Sequence, residues 1–305
     1  MSQSVSVIIP TKSRPVDLEF TVGSILQQSV LPVQLIVVDQ SEDDESRRRV
    51  ERLLFDAPLQ VRDAIALDYL RDAAISGGAV ARNRAMDIAR GDIWLFLDDD
   101  VCLEENFVEE LLAVFQWHPR VSGVSGIVSN YHVARWDYRL WAAIFVRGPF
   151  HDERQPIYWK ADRFRNSEPF AVRRLGAGLM SFRAKRIRSH RFDENLAGVC
   201  DGEDVDFCER LGPDEALVIA PRARLVHKAS PIGRAREHWL LRFAKANCYL
   251  YHRNWQSGFA NRFAFAWLKM GLGIVASLAS LRRLSLGPWR ALLEGTREGL
   301  RIARL

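Results

Sequence analysis

Three consecutive aspartates, Asp98-Asp99-Asp100, follow the apolar run Ile93-Trp-Leu-Phe-Leu97. Adjacent carboxylates repel and raise one another's pKa unless a cation neutralises them. A divalent ion such as Mg²⁺ or Mn²⁺, which takes oxygen ligands and also holds phosphate oxygens, is the natural partner. A solvated acidic loop is the plain alternative. Glu203-Asp204 offers a second pair, one member of which could act as a general base toward a hydroxyl. Acids at a helix N-terminus serve equally well as dipole-favoured caps. Arg82 and Arg84 suit a diphosphate, because guanidinium matches phosphate geometry, or a solvated helix face. Asp39 could accept hydrogen bonds from a nucleoside or shape a turn. His227 could ligate a metal or be structural.

The elements that would position these residues read as follows. Apolar runs at 4–9 and 34–38 predict buried strands ending at Pro10 and Asp39, with a helix over 15–28 between them. A helix over 46–55 and a weaker strand over 64–70 come next. A helix over 77–91, entered and left through glycine, leads into the strand 93–97. Helix 104–117 and strand 121–128 complete the first half. Strands alternating with helices predict an α/β fold with a doubly wound, mostly parallel sheet. Ligands bind beyond the carboxyl ends of such strands, which is where Pro10, Asp39 and Asp98–Asp100 fall.

Residues 131–172 are rich in Trp, Tyr, Phe and Arg and show no period, so a long functional or mobile loop is expected there. A glycine-containing strand over 175–182, a loop opening a helix over 202–211, and a strand over 216–226 ending at His227 follow. Beyond 230 the chain changes character. A basic, aromatic helical stretch covers 234–256, and 263–281 runs for 19 residues with one charge, Lys269, before Arg282 and Arg283. A membrane span needs about 20 apolar residues. Lys269, Gly271 and Gly273 argue against a clean span, while Trp255, Trp267, Trp289 and the flanking arginines suit a membrane interface; helices packed on the catalytic part are the plain alternative. Residues 288–305 predict an amphipathic helix. The expected division is a catalytic part over 1–230 and a helical part over 231–305.

The 305 residues carry a formal charge of +5, with 48% hydrophobic and 27% charged residues. A modest basic excess suits phosphate-bearing ligands or an anionic membrane surface, and nucleic acid is not expected as a partner. The four cysteines show no CxxC pair or metal spacing, so reduced thiols are expected. The apolar run Val5–Ile9 is too short for a signal peptide, which implies a cytoplasmic chain, peripheral on the inner membrane where the C-terminal helices touch it.

Taken in order, Val7-Ile-Ile-Pro-Thr-Lys-Ser-Arg14, Val37-Val-Asp39, Ala81-Arg-Asn83, Phe96-Leu-Asp-Asp-Asp100, Gly176-Ala-Gly178, Gly202-Glu-Asp204 and His227 resemble a family 2 glycosyltransferase of the inverting, GT-A-fold kind over residues 5 to about 228. Any one motif is weak; their order and spacing carry the resemblance. It implies a nucleotide-diphosphate sugar donor, a glycan or lipid-linked acceptor, and Mn²⁺ or Mg²⁺ as cofactor. It further implies that Pro10, Thr11, Arg14 and Asp39 meet the nucleotide, with Arg82 near the diphosphate. Asp98 and Asp99 would face the donor, and Asp100 and His227 would hold the metal. Gly176 and Gly178 would let backbone approach the sugar and acceptor. Asp204 would be the base and Glu203 would orient the acceptor. Thr11-Lys-Ser-Arg14 departs from the commoner asparagine-containing form of its motif. A nucleotidyltransferase would need a glycine- and lysine-rich phosphate loop after the first strand, which is lacking here. A non-catalytic binding protein of the same fold would have no need to retain Asp100 and Asp204.

Overall fold

The computed structural model describes residues 3–196, 202–230 and 239–305. Its sheet grows from apolar runs too short for helices and flanked by polar turns. β1 (Val5–Thr11), β2 (Gln34–Asp39), β3 (Ala66–Arg71) and β4 (Ile93–Leu97) lie parallel in the order β3-β2-β1-β4. Strands buried on both faces read as unbroken apolar runs, and alternate residues of these strands feed two cores. Val7, Ile9, Leu35, Val37, Leu95 and Leu97 point to one side. Ile8, Ile36, Val38, Trp94 and Phe96 point to the other. Helices Pro15–Leu26 and Phe107–Trp117 cover the first side, and helices Gly78–Met86 and Glu203–Leu211 cover the second. The α/β, doubly wound architecture expected from the pattern is the one observed.

Past β4 the sheet turns mixed. Going on along the chain, the strands are β5 (Val101–Leu103), β6 (Val121–Val128), β7 (Phe170–Val172), β8 (Leu179–Arg183) and β9 (Ala216–His227). β8 runs antiparallel between β4 and β6, β9 continues beside β6, and β5 and β7 pair antiparallel with β9. Several elements differ from the sequence expectation. The helix after Gly77 ends at Met86 rather than 91, because the chain must turn to bring Gly91 hard against β1, where a Cβ would lie 2.5 Å from the Ser6 nitrogen. The helix expected from 104 starts at Phe107, since Val101–Leu103 is drawn into the sheet by β9. The strand expected from 175 starts at Leu179, leaving Gly176–Gly178 as a turn. The stretch 131–172 is built rather than a plain loop. It holds helices Trp136–Phe145 and Arg154–Tyr158, two 3₁₀ turns and β7.

The C-terminal helices Trp239–Leu250, Phe259–Arg283 and Gly287–Ala303 gather a third core around Leu240, Leu268, Leu272 and Leu292, which also takes in Phe150 and Val205. The expected division at 230/231 and the first residues of the basic stretch fall in 231–238, outside the described residues, as does Cys200. Cys102, Cys208 and Cys248 are free thiols. Helix Gly287–Ala303 packs on helix Trp239–Leu250 through two glycines one turn apart. A Cβ would lie 2.2 Å from the Leu241 carbonyl oxygen at Gly295, and 2.3 Å from the Lys245 carbonyl oxygen at Gly299. Backbone cannot yield as a flexible side chain does. Gly295→Ala is therefore expected to force the helices apart and to cost ~1–3 kcal/mol, the usual scale of overpacking. Urea unfolding measures this; an unchanged midpoint would mean that the helices are free to separate.

Candidate active site

The register of the parallel block brings the first residues together. Thr11 and Asp39 are partners at the carboxyl ends of β1 and β2. Asp39 is fully buried and accepts hydrogen bonds from the Ser41 amide (2.9 Å), the Ser41 hydroxyl and the Tyr69 hydroxyl (2.7 Å). Burial, reinforced by the bond to Asp39, raises the Tyr69 phenol and keeps it a donor. Pro10 stays within β1, paired to β2 at Val38, past the last residue of β1 that β4 accompanies.

The turn after β4 gives the three aspartates different partners. Asp99 turns under β1, where its carboxylate accepts from the Thr11 hydroxyl (2.7 Å) and Arg14 Nη1 (2.9 Å). The Thr21 hydroxyl donates to the Asp99 backbone carbonyl. Asp98 and Asp100 come together beside His227. Asp100 is buried, lies 2.9 Å from His227 Nε2, accepts from the Ser230 amide (2.8 Å), and has Arg14 Nη1 at 3.8 Å. β5 and β9 make this meeting obligatory, since Val101 pairs with His227. Ligand atoms of Asp98, Asp100 and His227 all lie within 4.8 Å of one another. Two carboxylates and an imidazole on one spot form a donor set that fits a divalent cation.

The two buried acids differ in protonation. Burial raises Asp99 to about 6, against the opposing pull of Arg14 and the Thr11 hydroxyl. Burial would also raise Asp100, but the hydrogen bond and charge of His227 and the Ser230 amide outweigh it and hold Asp100 at about 2.

Asp98 is joined to the acidic pair by Arg82. This buried arginine, on helix Gly78–Met86, donates to Glu203 and to Asp98 Oδ1 (3.4 Å) and lies over the Phe192 ring. Burial raises Glu203, and Arg82 works against that rise. Gly78 makes room for this pair, because a Cβ there would lie 2.8 Å from Arg82 Nη1. Gly202, at φ +106°, turns the chain so that Glu203 and Asp204 open the next helix. That conformation suits glycine. Asp204 accepts from the Val205 amide (2.8 Å) and from Arg154 Nη1 (2.6 Å). Arg154 is itself buried, bound to Asp152 through Nε (2.9 Å) and to the Leu175 carbonyl through Nη1 (2.7 Å). From the other side the turn at 176–178 closes on Asp98. The Asp98 amide donates to the Gly178 carbonyl (3.4 Å), and a Cβ at Gly178 would lie 2.4 Å from Asp98 Oδ2. Gly176 sits near Tyr158 and Arg154 with space to spare.

Asp98, Arg82, Glu203 and Asp204 line a cleft of about 1080 Å³. Residues of helix Trp136–Phe145, Trp159 and Trp255 also line it. Asp100 and His227 adjoin the cleft through Asp98. Pro10, Thr11, Arg14, Asp39 and Asp99 are not among its lining residues; Thr11 and Arg14 hold Asp99, and Thr11 pairs with Asp39. Sequence reasoning missed Arg154 and Tyr69. Each makes its contact across more than 29 residues, and neither sits in a motif.

Residues 6–177, more than half of the chain, match the model of glycosyl transferase family 2. The chain belongs to that family. The matched segment contains the aspartate turn and Arg82, whereas Glu203, Asp204 and His227 join them by geometry. This family 2 chain is 28% identical over 131 residues to an uncharacterized glycosyltransferase of Haemophilus influenzae, over 43% of this chain and 39% of that protein. It is 33% identical over 108 residues to the putative teichuronic acid biosynthesis glycosyltransferase TuaG of Bacillus subtilis, over 35% of this chain and 40% of that one. It thus spans about two fifths of the length of the curated relatives it matches. Among solved structures, the mannosyltransferase PcManGT from Pyrobaculum calidifontis, in complex with GDP-Man and Mn²⁺, superposes with a TM-score of 0.58 at 20% identity, covering 100% of this chain and 86% of that chain. At that identity the likeness speaks for the fold alone, a GT-A-type fold.

The Asp99 value has a consequence for stability. With a native pKa of about 6 against 3.8 for the free group, the native state holds a proton that the unfolded chain has lost between those values. The contribution of Asp99 to stability is therefore greatest below about pH 4 and declines as pH rises to about 6. Asp99→Asn cannot ionise, so its stability relative to the parent should climb by up to ~3 kcal/mol across that window and then level off. Urea unfolding in EDTA at a series of pH values reads this directly, and a pH-independent difference would contradict it.

Proposed function

We propose that this chain is an inverting glycosyltransferase that moves a sugar from a nucleotide-diphosphate donor to a hydroxyl of a glycan or lipid-linked acceptor, with a divalent metal as cofactor. One observation carries the proposal: a metal-type cluster of Asp98, Asp100 and His227 is tied, through Arg82, to Glu203, and Asp98, Arg82, Glu203 and Asp204 line one cleft. Family membership supports it, as does a structural neighbour bound to GDP-Man and Mn²⁺. The relative named for teichuronic acid biosynthesis supports a setting in cell-surface polymer assembly. The cytoplasmic face of the membrane is the site we assign to it.

In this proposal Asp98, Asp100 and His227 hold Mn²⁺ or Mg²⁺, with the imidazole favouring Mn²⁺ over the more strictly oxygen-seeking Mg²⁺. The bound cation supplies positive charge that balances the donor diphosphate. Asp39, fixed by Tyr69 and Ser41, keeps acceptor capacity for a ribose hydroxyl, and Pro10 and Thr11 border the base. Arg14 and Asp99 lock the aspartate turn from below. Gly176–Gly178 leave the donor sugar room against backbone. Asp204 takes the proton from the acceptor hydroxyl as that oxygen attacks the anomeric carbon from the face opposite the leaving group. Glu203 orients the acceptor, while Arg154 holds the Asp204 carboxylate in one rotamer. Arg82, kept cationic by Glu203 and Asp98 despite its burial, borders the place where charge builds on the departing diphosphate. A single displacement inverts the anomeric configuration.

The first experiment is thermal unfolding against a panel of nucleotide sugars with Mn²⁺, because a ligand of the native state raises its melting point; no response to any donor would count against the proposal. With the responding donor, Asp204→Asn should leave donor binding near the parent value while nucleoside diphosphate release falls at least ~100-fold, the scale of a lost base. Undiminished release would remove Asp204 from that role. Asp100→Ala should abolish the Mn²⁺ dependence of donor binding seen by calorimetry, and an unaltered dependence would move the metal elsewhere.

A further inference from the structure

Helix Trp136–Phe145 carries many apolar side chains, yet none of its residues is fully buried. Trp136, Leu140 and Ile144, one turn apart, are 73%, 56% and 41% exposed. Beside it, helix Phe259–Arg283 shows a matching face. Phe263, Met270, Ile274, Leu278 and Leu281 are exposed in a row, turned away from the side that buries Ala264, Leu268, Leu272 and Ala276. The two faces are continuous. The Trp267 indole donates to the Ile144 carbonyl (2.8 Å), the Trp141 indole donates to the Gly271 carbonyl (3.1 Å), and the Phe145 and Trp267 rings touch. Single exposed apolar residues are ordinary on a monomer, but a contiguous strip along two packed helices marks a contact surface.

Charge identifies the occupant. Residues 234–305 hold 13 Lys and Arg against 3 Asp and Glu, so the remainder of the chain is net negative although the whole is +5. No charged residue interrupts the exposed row of helix Phe259–Arg283, while Arg262 lies near one end and Arg282 and Arg283 near the other. An apolar strip bounded by cations and tryptophan is the signature of a helix lying in the boundary layer of an anionic bilayer. The helix is long and apolar enough to cross a membrane. It is nonetheless fastened to the protein along its other side. Lys269 donates to Thr296 (3.0 Å), and Gly271 packs so tightly that a Cβ would lie 2.4 Å from the Phe145 ring. A span would have to break these contacts; a helix lying along the surface keeps them. Helix Trp136–Phe145 also walls the cleft: Trp136 and Leu140 of the exposed face line it together with Arg139 and Ala143, as does Arg147 just beyond the helix, so the strip and the cleft share an edge.

We propose that this two-helix strip seats the protein on the surface of an anionic lipid bilayer, with the mouth of the Asp204 cleft at headgroup level, so that the acceptor is a membrane-borne amphiphile. The statement about the acceptor rests on the function proposed above; the lipid contact does not. The test uses the purified full chain and flotation with vesicles of phosphatidylcholine, with and without phosphatidylglycerol. Binding is expected with the anionic vesicles and should weaken as salt screens the attraction. Ile274→Glu with Leu278→Glu should lower the bound fraction at least ~10-fold, and Leu140→Glu on the other helix should act in the same direction. Melting points near the parent value would show the variants folded. Equal binding of parent and variants, or none by the parent, would overturn the proposal. A parent that light scattering shows to be a dimer, and that the double variant converts to a monomer without any vesicle binding, would also overturn it, because the strip would then serve a second copy. Vesicle binding without nucleoside diphosphate release from any donor would defeat the proposed function, and with it the statement about the acceptor, and leave the lipid contact standing. Release to a water-soluble acceptor with no vesicle binding would defeat this inference alone.

Discussion

Everything around the cleft depends on how three adjacent carboxylates are kept from repelling one another. The turn after β4 gives Asp99 one set of partners and brings Asp98 and Asp100 together beside His227. Thr11 and Arg14 then hold Asp99, and His227 and the Ser230 amide hold Asp100. The result is two buried acids, adjacent in the chain, with opposite tendencies: Asp99 is pushed toward its protonated form and Asp100 toward its ionised form. Opposed environments of this kind let neighbouring carboxyl groups serve different ends. One secures the turn, and the other remains a charged donor beside Asp98.

A second layer of charge extends from that turn. Arg82 and Arg154 are buried cations, each set between two carboxylates, Asp98 and Glu203 for the first, Asp152 and Asp204 for the second. Buried ion pairs of this sort add little net stability, because desolvation offsets most of the attraction. Their value lies in geometry. Each arginine fixes the rotamer of an acid that faces the cleft, and removing either would leave charges buried without a partner. The antiparallel insertion of β8 serves the same end, since it returns the chain to β4 and sets the glycine turn 176–178 directly on Asp98.

Much of this was legible from the order of residues alone. Short, almost wholly apolar runs bounded by polar turns suit strands buried on both faces of a sheet, so β1, β2 and β4 and the doubly wound plan followed from the pattern. The ends of those strands then pointed to Asp39 and to Asp98–Asp100. The motifs Gly176-Ala-Gly178, Gly202-Glu-Asp204 and His227 stood out because glycine beside acids, or a histidine at a strand end, is a local feature. The cation-rich composition and the apolar segment 263–281 were equally local, and both were visible without coordinates.

Tertiary structure decided the rest, for a common physical reason: contacts between residues far apart in the chain leave no periodic trace. That Asp99 turns away while Asp98 and Asp100 face His227 follows from β5 pairing with β9, and three residues are too few for the sequence to declare a strand. Arg154 reaches Asp204 across 50 residues from a stretch that looked irregular, because its helix is a single short segment with no repeating apolar face. The same stretch supplies helix Trp136–Phe145, whose apolar side is turned outward and so carries no core signature. The composition showed how much apolar surface this chain has; only the fold shows which part of it is left uncovered.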